Sequence, residues 1–254
     1  MSYSVIIPAR YASSRLPGKP LANLHGKPMI QRVYELASKS KAESVYIATD
    51  HKEIFNCCSS FGAKVLMTNS KHLSGTDRIA EAIKKLNLGP DHVIVNLQGD
   101  EPFLNYLDID NLASFFINQK NFDLCTLYSE FKSEEEVKDK NLVKLWVDSE
   151  NNVKDFSRDE DYLQINGYLK VLHLGVYVYK ANFINQFVSW NQSKRELSER
   201  LEQLRALDNN KKIGAIKSLS IHHLGVDTPD DLSKARKILI HDWNKRELLS
   251  KQAQ

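Results

Sequence analysis

Apolar and polar positions follow two different rhythms along the first half of the chain. Short apolar runs at 5–7, 45–48 and 93–97 read as buried strands, and 63–67 as a further strand, since such runs leave no polar face for solvent. Segments 30–38, 51–60 and 75–86 lie between them and read as helices. In the last of these, Ile79, Ile83 and Leu86 recur at i, i+4 and i+7, which is one face of a helix. Pro8 is expected to end the first strand. Strand and helix in alternation imply an α/β fold, a mostly parallel sheet with helices on both faces.

The second half changes character. Segments 124–128, 143–147 and 171–179 alternate or are rich in β-formers, and no long helix is read between them. They are expected to be later strands of a mixed sheet, together with a lobe that covers the site. Leu197, Leu201 and Leu204 place an amphipathic helix over 196–207. The chain closes with a helix over 229–241, with Thr228 as N-cap, Pro229 in the first position, and Asp230 and Asp231 in the first turn. The polar tail beyond Trp243 is expected to fray.

Charge and composition then exclude several classes. Lys and Arg number 35 against 32 Asp and Glu, a formal charge of +3. That balance, with no dense Lys/Arg run, argues against nucleic acid as a partner. No apolar stretch approaches a bilayer span, so no membrane partner is expected. The N-terminus runs straight into the first strand, so no signal peptide is expected. Cys57, Cys58 and Cys125 form an odd set without metal-ligand spacing. Reduced thiols in a cytoplasmic protein are the expectation.

Candidate chemistry begins directly after the first strand. Residues 8–29 carry Arg10, Arg15, Lys19 and Lys27, hinge points at Gly18 and Gly26, and no carboxylate. A basic loop at the carboxyl end of a parallel sheet sits where open α/β folds bind ligands, and its charge suits a polyphosphate. It is not a Walker loop, because Gly18-Lys19 is followed by Pro20. Nor does a G-x-G-x-x-G open the first helix.

A second signal is the run Asn96-Leu97-Gln98-Gly99-Asp100-Glu101-Pro102. Asp100 is placed to hold a hard divalent cation such as Mg²⁺; alone, it reads equally well as an ordinary turn Asp. Asp227 precedes the last helix and competes for the role of cap, but Thr228 already supplies one. Ser74-Gly75-Thr76-Asp77-Arg78 offers backbone N–H groups at a helix start; alone, a plain cap is the better reading. Arg158, His173 and Glu202 alone read as a surface Arg, a satisfied His and a solvated helix face.

Together these motifs carry a resemblance. A-R-Y-x-S-[ST]-R-L-P-G-K-P-L over 9–21 resembles the nucleotide-binding signature of sugar nucleotidyltransferases. More narrowly, the chain resembles the CMP-Kdo synthetase family (3-deoxy-manno-octulosonate cytidylyltransferases). The resemblance implies a Rossmann-like, GT-A-like nucleotidyltransferase domain with a smaller sugar-binding and dimerisation lobe. Residues 1–125 would mainly bind nucleotide, 126–225 sugar and the dimer partner, 226–243 would supply the metal Asp and the closing helix, and 244–254 the tail.

The reaction implied is CTP plus a 3-deoxy-ulosonic acid, Kdo, giving CMP-Kdo and pyrophosphate. It would serve lipopolysaccharide or capsule synthesis in the cytoplasm, from a homodimer. Pro8, Ala9, Ser74 and Gly75 would read cytosine, with Arg78 beside them. Arg10, Arg15 and Lys19 would take the phosphates. Asp100 and Asp227 would hold Mg²⁺, and Arg10, Lys19 and Asp100 would be catalytic. Gln98, Arg158, His173, Tyr177, Glu202 and Gln203 would bind the sugar acid.

Two rivals are weaker. A dehydrogenase lacks its glycine fingerprint here, and an inactive nucleotide-binding protein would have lost the carboxylates.

The chain departs from the family after Arg158. A shorter loop, Asp159-Glu160-Asp161-Tyr162, replaces an Ile-Pro-aromatic segment, and Lys154-Asp155 replaces an apolar-Tyr pair. Three acids there raise an alternative substrate, an 8-amino variant of Kdo. The plainer reading is an acidic loop that faces water.

Overall fold

The structure, a computed structural model, describes residues 2–252 except Ser14, Leu73 and His222; over 242–252 the description is of the backbone. In chain order it runs β1 (Tyr3–Ala9), a 3₁₀ turn (Lys19–Leu21), β2 (Asn23–Leu24), β3 (Lys27–Pro28), α1 (Met29–Ala37), β4 (Ser44–Thr49), α2 (Lys52–Ser60), β5 (Lys64–Met67), α3 (Gly75–Lys85) and β6 (Val93–Asn96). The second half adds α4 (Tyr106–Asn118), β7 (Leu124–Ser129), α5 (Glu134–Lys138), β8 (Lys144–Asp148), β9 (Val153–Ser157), β10 (Tyr168–Lys180), α6 (Ala181–Phe187), α7 (Lys194–Glu199), α8 (Leu204–Asp208), β11 (Ile213–Lys217) and α9 (Pro229–Gln252).

One nine-stranded sheet organises the molecule, in the order β11-β7-β10-β6-β1-β4-β5, with β8 and β9 branching from β10. Strands β6, β1, β4 and β5 are mutually parallel, while β10 runs antiparallel to β6, β7 and β8. The sheet is therefore mixed, as the pattern implied. Strand β10 leaves the main sheet through a register shift between Leu174 and Tyr177 and continues into a hairpin-like lobe with β8 and β9.

Period-2 alternation in β1 sends side chains to two cores. Val5 and Ile7 pack with Ile30, Val33 and Leu112 on one face; Ile6 packs with Ile79, Ile83 and Phe183 on the other. Both cores hold their helices by the same stripes that the sequence displays.

Four expectations about elements need correction. Pro8 does not end β1: it pairs with Ala48, and Ala9 pairs with Thr49. The Ile6 carbonyl accepts the Leu97 N–H at 3.3 Å, so Pro8, two residues on, also faces the β6 side, past the end of that ladder. No ladder donor is lost there.

Helix 196–207 is two helices, α7 and α8. Arg200 takes a left-handed φ of 55° and ends α7, leaving Leu197 59% exposed while Leu201 and Leu204 are buried. Helix α4 was not anticipated, although buried Ile109, Leu112, Ala113 and Phe116 recur at i, i+3, i+4 and i+7. Finally, α9 continues to Gln252, past the expected end at 241 and through the tail expected to fray.

Candidate active site

The parallel strands open at their carboxyl ends into a cavity of about 350 Å³. The segment after β1 supplies Pro8, Ala9, Arg10, Arg15 and Lys19 to its wall. The segment after β6 supplies Gln98, Gly99 and Asp100, the start of α3 supplies Ser74, Gly75 and Arg78, and the approach to α9 supplies Asp227.

Charge in this cavity is concentrated on one cation between two carboxylates. Lys19 Nζ donates to Asp100 Oδ2 and, at 2.8 Å, to Asp227 Oδ1. Arg15 donates to Asp227 Oδ2 at 2.9 Å. Burial works against the Lys19 ammonium, but the two carboxylates outweigh it and raise its pKa. Burial likewise opposes the Asp227 charge, and Lys19 and Arg15 outweigh it, so the Asp227 pKa is lowered. Beside them Glu101 is pushed up to about 8, first by burial and then by Asp100 and Asp227. Asp100 and Asp227 are thus each paired with a cation, and their negative charge disfavours a third ionised carboxylate beside them.

Backbone geometry sets the spacing of the two carboxylates. The Val226 N–H donates to the Asp100 carbonyl at 2.9 Å, tying the two acidic segments together. Thr228 and Asp231 cap α9 reciprocally: the Asp231 N–H donates to Thr228 Oγ1 at 3.2 Å and the Thr228 N–H to Asp231 Oδ2 at 3.0 Å. Asp227 is thereby released from capping, as expected, and its carboxylate turns into the cavity. Gly99 passes so close to β1 that a Cβ there would lie 3.1 Å from the Pro8 carbonyl oxygen.

The start of α3 is a capping box between Ser74 and Asp77. Gly75 lies flat against the Pro8 ring; a Cβ there would sit 3.4 Å from it and 3.9 Å from Gln98 Oε1. Arg78 is buried, donating to Asp50 at 2.7 Å and to the Thr68 hydroxyl. Asp50 also accepts the Tyr11 N–H at 3.2 Å. Arg78 therefore anchors the basic loop through Asp50, a residue that no sequence motif singled out.

The residues assigned to the sugar side do not all converge. Tyr177, Glu202 and Gln203 line a second, smaller cavity of about 30 Å³ with Thr76 and Asn96. Glu202 Oε2 accepts from the Thr76 hydroxyl at 2.9 Å, and Gln98 donates to Asn96 Oδ1 at 3.2 Å.

His173 lines neither cavity. It packs edge-on to Phe156 at 5.0 Å and against Tyr177 at 5.5 Å, with Nε2 3.0 Å from Thr126 Oγ1. Burial of its ring pushes its pKa down to about 3, so it is neutral. Arg158 also lines neither cavity: its side chain donates to the carbonyls of Glu199, Lys140 and Asn141 at 3.0, 3.1 and 3.0 Å. Nε and Nη1 make these bonds, and the charges of Arg15 and Asp227 also act on the guanidinium.

Asp159, Glu160 and Asp161 are likewise outside the lining of both cavities. Asp159 Oδ1 accepts the Asp161 N–H at 3.0 Å, and the Glu160 carbonyl accepts from Lys170 at 2.9 Å. Asp155, one of the departures, pairs with Arg195 at 2.5 Å and accepts from the Tyr162 hydroxyl at 3.0 Å. The Asp155 and Tyr162 ties to Arg195 hold the altered loop to α7.

Residues 4–213 match the cytidylyltransferase family model. The 3-deoxy-manno-octulosonate cytidylyltransferase of Vibrio campbellii is 44% identical over 252 residues, covering 94% of this chain and 98% of that one. Its counterpart in Photobacterium profundum is 42% identical over 248 residues, covering 94% and 100%. This chain belongs to the CMP-Kdo synthetase family. A solved structure of CMP:2-keto-3-deoxy-manno-octonic acid synthetase complexed with CTP superposes with a TM-score of 0.86 at 34% identity, over 95% of this chain and 100% of that one. A cytidylyltransferase from Leptospira borgpetersenii shares the fold, with a TM-score of 0.61 at 18% identity over 93% and 85% of the two chains.

Within the CMP-Kdo synthetase fold, the nucleotide-side residues named from sequence are gathered in one cavity. Among the described residues no cluster of three His, Cys, Asp or Glu side chains forms a ready-made metal cage. Asp100 and Asp227 are a pair, and an ammonium bridges them. Such a pair fits Mg²⁺, which is commonly held by one or two carboxylates together with substrate phosphates.

Proposed function

We propose that this enzyme transfers CMP from CTP to Kdo and releases pyrophosphate. The observation that carries the reading is the cavity in which Arg10, Arg15 and Lys19 face the Asp100–Asp227 pair at the carboxyl end of the sheet. The sugar's anomeric 2-hydroxyl would attack the α-phosphorus in line. A new P–O bond forms to the sugar, the bond to the pyrophosphate oxygen breaks, and the hydroxyl proton passes to solvent.

Asp100 and Asp227 would hold Mg²⁺, which supplies charge neutralisation at the α-phosphate and acidifies the attacking hydroxyl. The ammonium now shared by the two carboxylates stands where that charge would go. Lys19, Arg15 and Arg10 would neutralise the triphosphate and the departing pyrophosphate. Ser74 and Gly75, tight against the Pro8 ring, would select a pyrimidine through backbone groups.

Gln98, Tyr177, Glu202 and Gln203 support a sugar side next to this cavity. His173 and Arg158 would act on it only by holding β10, β9 and α7 in place. Plain Kdo is the substrate proposed, since the acidic triplet lines neither cavity.

The product would feed envelope polysaccharide synthesis in the cytoplasm, where the three free cysteines would stay reduced. A homodimer through the second half of the chain would cover Leu169, Leu197 and Ile221, which are large, apolar and exposed. The test of the activity is pyrophosphate release from CTP, Mg²⁺ and Kdo. Release that requires all three is expected; release without Kdo, or none, would defeat the reading.

A further inference from the structure

Two buried side-chain oxygens have no hydrogen-bond partner among the described residues: Tyr179 OH and Glu202 Oε1. Both belong to residues that line the same cavity of about 30 Å³. Leaving two buried polar atoms unmatched in one place costs more than any neighbouring contact returns. A space of roughly 10–15 Å³ or more with two to four polar partners is enough for one water.

The position of the cavity identifies its guest. Tyr177 stands opposite Asn96 and Tyr179 opposite Ile94, so Tyr179 lies one rung further from the catalytic end of the sheet. Leu124, Phe183 and Ile184 close that side with apolar surface. A space of about 30 Å³ takes a water and is too small for a sugar acid. We propose that this cavity holds one resident water, which accepts from Tyr179 OH and donates to Glu202 Oε1, and that Tyr179 is thereby a positioning residue for Glu202.

The water completes a polar path between the two halves of the site. Gln98, on the wall of the nucleotide cavity, donates to Asn96 at 3.2 Å, and Asn96 lines the small cavity. On the far side Glu202 Oε2 is held by Thr76, next to the Ser74-Gly75 turn. With Oε1 tied through water to Tyr179, both oxygens of Glu202 have fixed directions. Without it Oε1 has the Arg205 guanidinium at 4.0 Å and no hydrogen bond to fix its direction.

Two measurements test this. A crystal structure of the wild-type enzyme that resolves waters is expected to show density within hydrogen-bonding distance of both oxygens, retained when Kdo is bound. The Tyr179→Phe enzyme keeps the ring and loses the hydroxyl. Its KM for Kdo is expected to rise about tenfold, with kcat and the KM for CTP within about twofold. A merely structural Tyr179 would lower thermal stability and leave that split absent.

A dry cavity in the wild type, a sugar hydroxyl in the water's place, or an unchanged KM for Kdo in Tyr179→Phe overturns the proposal. The kinetic arm rests on the Kdo-transfer reading. A wild type that makes no CMP-Kdo defeats that reading instead, and the crystallographic arm still decides the water.

Discussion

Lys19 is the residue on which the nucleotide site turns. Its ammonium sits between Asp100 and Asp227, so a divalent ion entering without nucleotide must displace an internal cation. When triphosphate arrives with the metal, Lys19 has a new anion to follow. Lys19→Met is therefore expected to bind Mn²⁺ about tenfold more tightly than wild type in the absence of nucleotide, read by titration calorimetry, while turnover falls. Equal or weaker Mn²⁺ binding in the variant would show that the ammonium does not occupy the metal position.

Asp100→Ala and Asp227→Ala should each remove more than nine-tenths of turnover, a barrier increase above ~1.4 kcal/mol. Both retaining more than about a tenth of wild-type turnover would end the metal assignment.

His173 gives a separate test through pH. Its pKa falls from 6.5 to about 3 on folding because its ring is buried. Between those values the unfolded chain binds the proton and the folded one does not, so His173 makes stability rise with pH. Its contribution is complete above the unfolded pKa and is lost as pH falls, at up to ~1.4 kcal/mol per pH unit. Glu101 slopes the other way from 4.5 to about 8, so the wild-type curve alone hides both. Urea midpoints of wild type and His173→Gln should converge as pH drops from 7 to 5; parallel curves would mean that His173 is protonated in the folded state.

At the scale of elements, the site is made by strands of unequal length meeting at one edge. β1 outruns β6 by three residues, and the chain after β6 must cross its carbonyl edge at Gly99. An added methyl there meets the Pro8 carbonyl oxygen, which is backbone and cannot swing away. Gly99→Ala is expected to cost about 1–3 kcal/mol of stability and to move Asp100 off its partner Lys19, so turnover should fall by more than the loss of folded protein explains. Circular dichroism melts and kcat on the folded fraction separate the two effects; an active, fully stable Gly99→Ala would mean that the crossing has slack.

α7 and α8 teach a related point. Their leucine spacing suits one helix, yet Glu196 is drawn into a buried pair with Arg205 at 2.5 Å and a capping box with Ser193. The chain bends at Arg200 to satisfy them, and that bend delivers Glu202 to the small cavity.

At the scale of the whole molecule, the nucleotide half is a parallel α/β unit, and the sugar half is bolted on through β10. On the proposed function, base selection falls to the first half. CTP should be preferred over ATP and GTP, because the backbone groups of the Ser74-Gly75 turn beside Pro8 suit the polar edge of a pyrimidine. Comparable rates with ATP would refute the cytosine reading and leave the phosphate site intact. The proposed homodimer forms through the second half. A mass near twice 29.1 kDa is expected from light scattering, and a monomer at working concentration would remove the homodimer from the proposal.

Sequence by itself determined the parallel half, because a buried strand and an amphipathic helix each write their burial as a local period. It also singled out Arg10, Arg15, Lys19, Ser74, Gly75 and Asp100, which the fold gathers in one cavity, because their motifs are short contiguous runs with little freedom once their strands are placed. Only the tertiary structure decided what depends on distant partners. Pro8 stays in β1 because β6 stops early, a fact recorded ninety residues away. Arg158 meets the carbonyls of Lys140, Asn141 and Glu199, partners that no motif around it names. Asp50 becomes the anchor of the basic loop, and Tyr179 the neighbour of Glu202, through contacts that no local period encodes. Burial of an apolar face is a property of a segment, whereas the partner of a polar atom is a property of the fold.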